Sequence, residues 1–184
     1  MPEFGTSRRN VLKTVGAAGI AGLAGCAGLA GSDNPDTMKI GVMQPLSGNI
    51  AYYGKQSLWG FLSGLAYKGD TDPIADPETG TEEIEVGDTT YELVIRDSKF
   101  QADEAQSIAT DLVTQEEVDM LFGCASSGAA RRVINTVLGE TDVPYMAGPA
   151  ASAGITQNSE LCSDQVFRAS ENTAMDARSG GKYV

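Results

Sequence analysis

Short apolar runs alternate with longer amphipathic segments along most of the chain, and this alternation restricts the fold more than any single motif. Residues 38–43, 91–95, 120–122, 144–147 and 166–168 read as short strands, mostly of the buried kind. Between them lie helical segments. One spans about residues 53–67 and sets Leu58, Phe61, Leu62 and Leu65 on one face at i, i+3, i+4 and i+7. A second spans about 103–115, with Ala105, Ile108 and Leu112 inward. A third is capped by Ser126 or Ser127 and runs to about Leu138, and a last one starts near Thr173. Ile84-Glu85-Val86 alternates in polarity and turns through Gly87-Asp88 into residues 91–95, a hairpin pattern. Strands separated by single helices imply right-handed crossovers, hence an α/β fold with a doubly wound, mostly parallel sheet.

In such a sheet, ligands bind beyond the carboxyl ends of the strands. Three of those ends carry small or hydroxyl residues: Leu46-Ser47-Gly48, Ala125-Ser126-Ser127-Gly128 and Pro149-Ala150-Ala151-Ser152. The topology brings all three to one edge, and their convergence marks a site.

Composition removes several chemistries. The 184 residues suit one ordinary domain, and none is histidine, which excludes histidine general-base catalysis and histidine-ligated metals. The formal net charge of -12 argues against a nucleic-acid partner, because an acidic surface repels phosphate. No GxxxxGK[ST], GxSxG or GxGxxG word occurs, and the cysteines lack metal-ligand spacing. Asp70, Asp72, Asp76 and Glu78 do not follow the EF-hand pattern and read as a solvated loop. No enzyme activity, metal or cofactor is expected.

The first 25 residues read as an export signal. Ser7-Arg8-Arg9-Asn10-Val11-Leu12-Lys13 matches the twin-arginine pattern. The Gly/Ala-rich stretch that follows, 17 residues from Val15 to Gly31, is short of the ~20 apolar residues a membrane span needs. Leu23-Ala24-Gly25-Cys26 has the form of a lipobox, which makes Cys26 the expected lipidated residue on the outer face of the cytoplasmic membrane. Residues 26–37 then read as a linker, 38–168 as a ligand-binding lobe, and 169–184 as the start of a crossover. Losing residues 1–25 would leave 10 basic and 24 acidic residues, an excess that fits solubility or adaptation to high salt. Cys124 and Cys162 fall at opposite strand edges and are expected as free thiols.

At the strand-end loops the chain resembles the leucine/isoleucine/valine-type substrate-binding proteins of ABC transporters. The resemblance covers about residues 38–177. It rests on Ile40-Gly41-Val42 leading to Pro45-Leu46-Ser47-Gly48, on Ala51-Tyr52-Tyr53-Gly54, and on residues 93–97. It continues through Gly123 with Ser126-Ser127-Gly128-Ala129, Val143-Pro144 with Pro149-Ala150-Ala151-Ser152, and Val166-Phe167-Arg168. It implies the first lobe of a type I periplasmic-binding-protein fold, truncated, because members carry a second lobe that closes over the ligand. An N-terminal fragment is expected, with an inactive truncated product as the alternative.

By position the resemblance implies ligand contacts from Tyr53, Ser126, Ser127, Ala150, Ala151 and Ser152. The Ser127 hydroxyl would donate to one carboxylate oxygen, and the Ser152 hydroxyl or N–H to the other. The Ala150 carbonyl would accept from a ligand ammonium, and Tyr53 would wall the pocket. The implied function is capture of an amino acid or similar small polar solute and its delivery to an ABC permease. A receptor's ligand-sensing domain is the alternative. Local packing offers its own account of the same residues. Ser127 can be only a helix cap, Ser152 a loop stabiliser, and Tyr53 a core residue beside an exposed Tyr52. Trp59 reads as packing, and Arg131-Arg132 as a solvated helix face or, being a basic pair in an acidic chain, as a contact for a partner.

Overall fold

Six strands hydrogen-bond into one sheet in the order β2-β3-β1-β4-β5-β6 in the computed structural model, which describes residues 36–183. In chain order the elements are β1 (Asp36–Gln44), α1 (Ala51–Gly69), β2 (Gly80–Val86), β3 (Thr89–Asp97), α2 (Ala102–Thr114) and β4 (Met120–Gly123). They continue with α3 (Ser127–Thr136), a single 3-10 turn (Leu138–Glu140), β5 (Tyr145–Ala147), α4 (Gly154–Gln157), β6 (Val166–Arg168) and α5 (Thr173–Gly180). Only the β2–β3 pair is antiparallel; its hairpin turns at Gly87, whose φ of 62° is the left-handed conformation glycine tolerates. The chain therefore has the expected α/β architecture with a mostly parallel sheet.

Strand alternation divides the core between the two faces. Ile40 and Val42 of β1 and Leu93 and Ile95 of β3 point to one face, where Leu58 and Leu62 of α1 cover them. Met43 and Val94 point to the other, beneath Ala105, Ala109 and Leu112 of α2 and Val133 of α3. Leu58 and Leu62 are fully buried, while Phe61 and Leu65 of the same stripe are half-buried. Trp59, expected to pack, is 39% exposed. Register sets Phe122, Met146 and Phe167 side by side on the α1 face; Phe61 stacks on Phe122 at 4.7 Å, and Phe167 lies beyond α1's reach, 52% exposed.

Three boundaries differ from expectation. β1 begins at Asp36, inside the stretch read as linker, because Asp36 and Thr37 pair with Thr89 and Thr90 of β3. Pairing of this kind carries no hydropathy signal. The hairpin strands also run further, from Gly80 to Asp97. The loop after β5 contains the short α4. The described residues contain no helix long and apolar enough to cross a membrane. Arg8, Arg9 and Cys26 lie outside the described residues.

Candidate functional site

The carboxyl ends of β1, β3, β4, β5 and β6 form one edge, and the loops leaving them are tied to each other by side chains. At the end of β3, Asp97 accepts hydrogen bonds from the N–H of Leu46 at 2.8 Å and of Lys99 at 2.9 Å. This fixes the loop after β1. Burial pushes the Asp97 carboxyl up, but bonds from the Ser47 hydroxyl and from the Leu46, Lys99 and Ser47 backbone outweigh it and hold the group below its ordinary value. At the end of β1, the fully buried Gln44 amide donates to the Gly148 carbonyl at 2.7 Å and to the Ser57 hydroxyl at 3.1 Å. One side chain thus joins β1, the end of β5 and α1.

The β4 and β5 loops meet at a pair of serines. Ser126 is the N-cap of α3, its hydroxyl accepting from the Ala129 N–H at 3.3 Å. Ser127 is the first residue of α3, and its hydroxyl accepts from the Ser152 N–H at 3.1 Å. The Ser152 hydroxyl in turn accepts from the Arg131 guanidinium at 2.9 Å. Each of the two hydroxyls therefore accepts one bond from the protein and keeps its own proton to donate. Both stand beside the free N–H groups of α3, where a negative charge is favoured.

Arg168, at the end of β6, holds the same loop from beneath. It donates to the Ala150 carbonyl at 2.7 Å, the Ser152 carbonyl at 2.6 Å and the Thr156 hydroxyl at 3.3 Å. The Ala151 carbonyl accepts from the Thr173 N–H at 2.9 Å. Ala150 is fully buried, so the carbonyl expected to receive a ligand ammonium is instead engaged by a guanidinium within the protein.

The structure brings Ser126, Ser127, Ala150, Ala151 and Ser152 to one corner and sets Tyr53 apart from it. Tyr53 is exposed in the first turn of α1, edge-on to Tyr52 at 5.2 Å. It lines a groove of about 460 Å³ on the α1 side of the sheet with Phe61, Phe122, Met146 and Pro149. Pro149, next to Ala150 in the chain, is the bridge between groove and corner. Arg131, Arg168 and Gln44 are the residues that sequence reasoning missed. Arg168 left a trace only as the last residue of the Val166-Phe167-Arg168 word, and Gln44 as a polar residue after an apolar strand. Arg131 was read as part of a solvated face, yet only Arg132 behaves so, paired with Asp103 at 2.8 Å.

Cys124 and Cys162 are both free. Burial pushes the Cys124 thiol up to about 12, beside the buried Tyr145 hydroxyl that accepts from its N–H at 3.0 Å. This thiol is held as a neutral packing group. Asp70, Asp72, Asp76 and Glu78 are exposed, and the described residues contain no cluster able to hold a metal ion.

Comparison with known proteins agrees with this architecture. Leu/Ile/Val-binding protein homolog 6 of Brucella abortus is 34% identical over 126 residues, which are 67% of this chain and 28% of that protein. The solved branched-chain amino acid transporter substrate binding protein LivJ of Streptococcus pneumoniae, in complex with isoleucine, aligns at a TM-score of 0.55. It is 26% identical over 74% of this chain and 34% of its own. A solute binding protein of an ABC transporter from Rhodopseudomonas palustris, in complex with p-hydroxybenzoic acid, aligns at 0.59. It is 27% identical over 79% of this chain and 37% of its own. The chain thus spans little more than a quarter of the curated relative and about a third of each of these solved structures. The periplasmic binding protein family matches residues 37–184, nearly everything the structure describes, and the chain belongs to that family.

Proposed function

We propose that this chain supplies the first lobe of an exported solute-binding lipoprotein, which captures an amino acid or another small carboxylate and passes it to an ABC transporter permease. The observation that carries this reading is the Ser127–Ser152 pair at the carboxyl edge, joined by the Ser152 N–H at 3.1 Å from the Ser127 hydroxyl, with two hydroxyl protons beside a helix N-terminus. Such a corner suits the two oxygens of a carboxylate, the group common to isoleucine and p-hydroxybenzoic acid in the two solved relatives. Tyr53 and the apolar groove beside Pro149 would take the solute's apolar body. The twin arginines Arg8 and Arg9 and the lipobox at Cys26 support export and anchoring on the outer face of the cytoplasmic membrane.

The test is an NMR titration of the 184-residue chain with leucine, isoleucine and p-hydroxybenzoate, following backbone amides. Expected are saturating shifts at Ser127, Gly128 and Ser152, weakened at least about tenfold by Ser127→Ala, the scale of one charge-assisted hydrogen bond. Shifts that bypass these amides for every solute would refute the reading. Cys26→Ser releasing the chain from the membrane fraction is the matching test of the anchor.

A further inference from the structure

We propose that Arg131 contacts the solute directly and makes the serine corner selective for a carboxylate over its neutral amide. This rests on the serine corner being the solute seat. Ser127 and Arg131 stand four residues apart in α3, so they share one helix face. The guanidinium reaches the Ser152 hydroxyl at 2.9 Å, and Ser152 in turn reaches Ser127. Arg131 is therefore the third member of the corner rather than a solvated neighbour of it.

Two observations give the corner its sign. First, Arg131 has no carboxylate partner among the described residues, although acids outnumber bases 25 to 13 and the adjacent Arg132 is paired with Asp103. Its charge is unneutralised, and four of its five N–H donors are unused. Second, the carbonyls around the corner are already engaged within the protein. Those of Ala150 and Ser152 take Arg168, and that of Ala151 takes Thr173. The protons left to donate are those of the Ser127 hydroxyl, the Ser152 hydroxyl and the Arg131 fork, and the guanidinium has no acceptor at all. A carboxylate offers only acceptors and matches them, with the planar guanidinium suited to its geometry. A carboxamide brings no charge to the guanidinium and turns an NH₂ toward a fork that cannot accept from it, and an unmatched polar group is what a site rejects most strongly.

The probes are isocaproate and isocaproamide, which share a skeleton and differ in the carboxylate. Each is titrated into the full chain by NMR, with Ser127 and Ser152 amide shifts as the readout. Isocaproate is expected to bind at least about tenfold tighter than isocaproamide. Arg131→Gln should bring the ratio within about threefold, and Arg131→Lys, which keeps the charge and loses the fork, should fall between. Arg132→Gln should leave the ratio as it is. Amide spectra that overlay away from the corner show that each variant is folded. Equal affinity for the two probes, or a ratio that survives Arg131→Gln, overturns the proposal and leaves the site standing. No shift at Ser127 or Ser152 with either probe overturns both.

Discussion

Asp97 shows how much one side chain organises at this edge. Its carboxylate replaces water for the Leu46 and Lys99 N–H groups, so the β1 loop is held by a residue 51 positions away. Asp97→Asn keeps the shape and loses the charge, and should destabilise the chain by about 1 kcal/mol at neutral pH after allowance for solvent exposure. The sign with pH is fixed by the lowered carboxyl. The contribution is complete above the ordinary value of 3.8 and is lost as pH falls through the lower folded value. Urea unfolding across pH 2 to 7 should therefore show the two chains converging in acid, and a constant gap would contradict this account. Asp97 itself was visible in the sequence only as a strand-end residue. Ser127 and Ser152 were legible because hydroxyls in Gly/Ala loops at strand ends are a local pattern. Arg131 and Arg168 were not, because their meaning lies in partners 16 to 21 residues away. An arginine on an amphipathic helix looks the same whether it faces water or a loop.

At the scale of elements, α1 shows why periodicity located the helix better than it located the helix's contacts. The Leu58/Leu62 stripe fixed which face turns inward, and the observed burial follows it. What it did not encode is how near α1 lies to the loop after β1. Gly54 stands against Pro45 so closely that an added Cβ would collide with the Pro45 carbonyl oxygen. Gly64, in the same helix, has open space around its Cβ position. The two glycines therefore predict opposite outcomes. Gly64→Ala should stabilise by up to about 1 kcal/mol through helix propensity. Gly54→Ala should destabilise by about 1–3 kcal/mol despite the same propensity gain, because backbone must move. Urea midpoints of the two variants decide this, and equal shifts of either sign would mean that α1 is not seated on Pro45. Because Tyr53 and Ser57 flank Gly54, the same displacement should loosen the groove and the Ser57 bond to Gln44.

Charge is a property of the whole molecule. Among the described residues, the ion pairs engage Glu92, Glu116, Glu104 and Asp103, each partly exposed and worth about 0–1 kcal/mol. Most acids stay uncompensated. Three of them, Glu82, Glu83 and Glu85, ride on β2, the edge strand, where Glu83 faces Glu92 across the hairpin. Like charges opposed in this way cost stability, while the same charges block pairing of the open edge with another chain. The Lys39–Glu92 contact at 3.2 Å offsets part of the cost. The acidic excess was plain from composition, but its placement on an edge strand needed the sheet order. Self-repulsion of this kind is screened by salt, whose screening length falls from about 10 Å at 0.1 M to about 3 Å at 1 M. The thermal midpoint should therefore rise by roughly 3 °C between about 0.1 M and 2 M KCl, equivalent to about 1 kcal/mol for a chain of this size. Replacing Glu82, Glu83 and Glu85 together with Gln should raise the low-salt midpoint and flatten the salt response, because the repulsion is then removed covalently. The triple variant also loses the edge's protection and should self-associate more readily, which light scattering at low salt would reveal. If the natural chain's midpoint stays flat across this range, the acidic surplus acts through solubility alone and the salt-adapted reading fails.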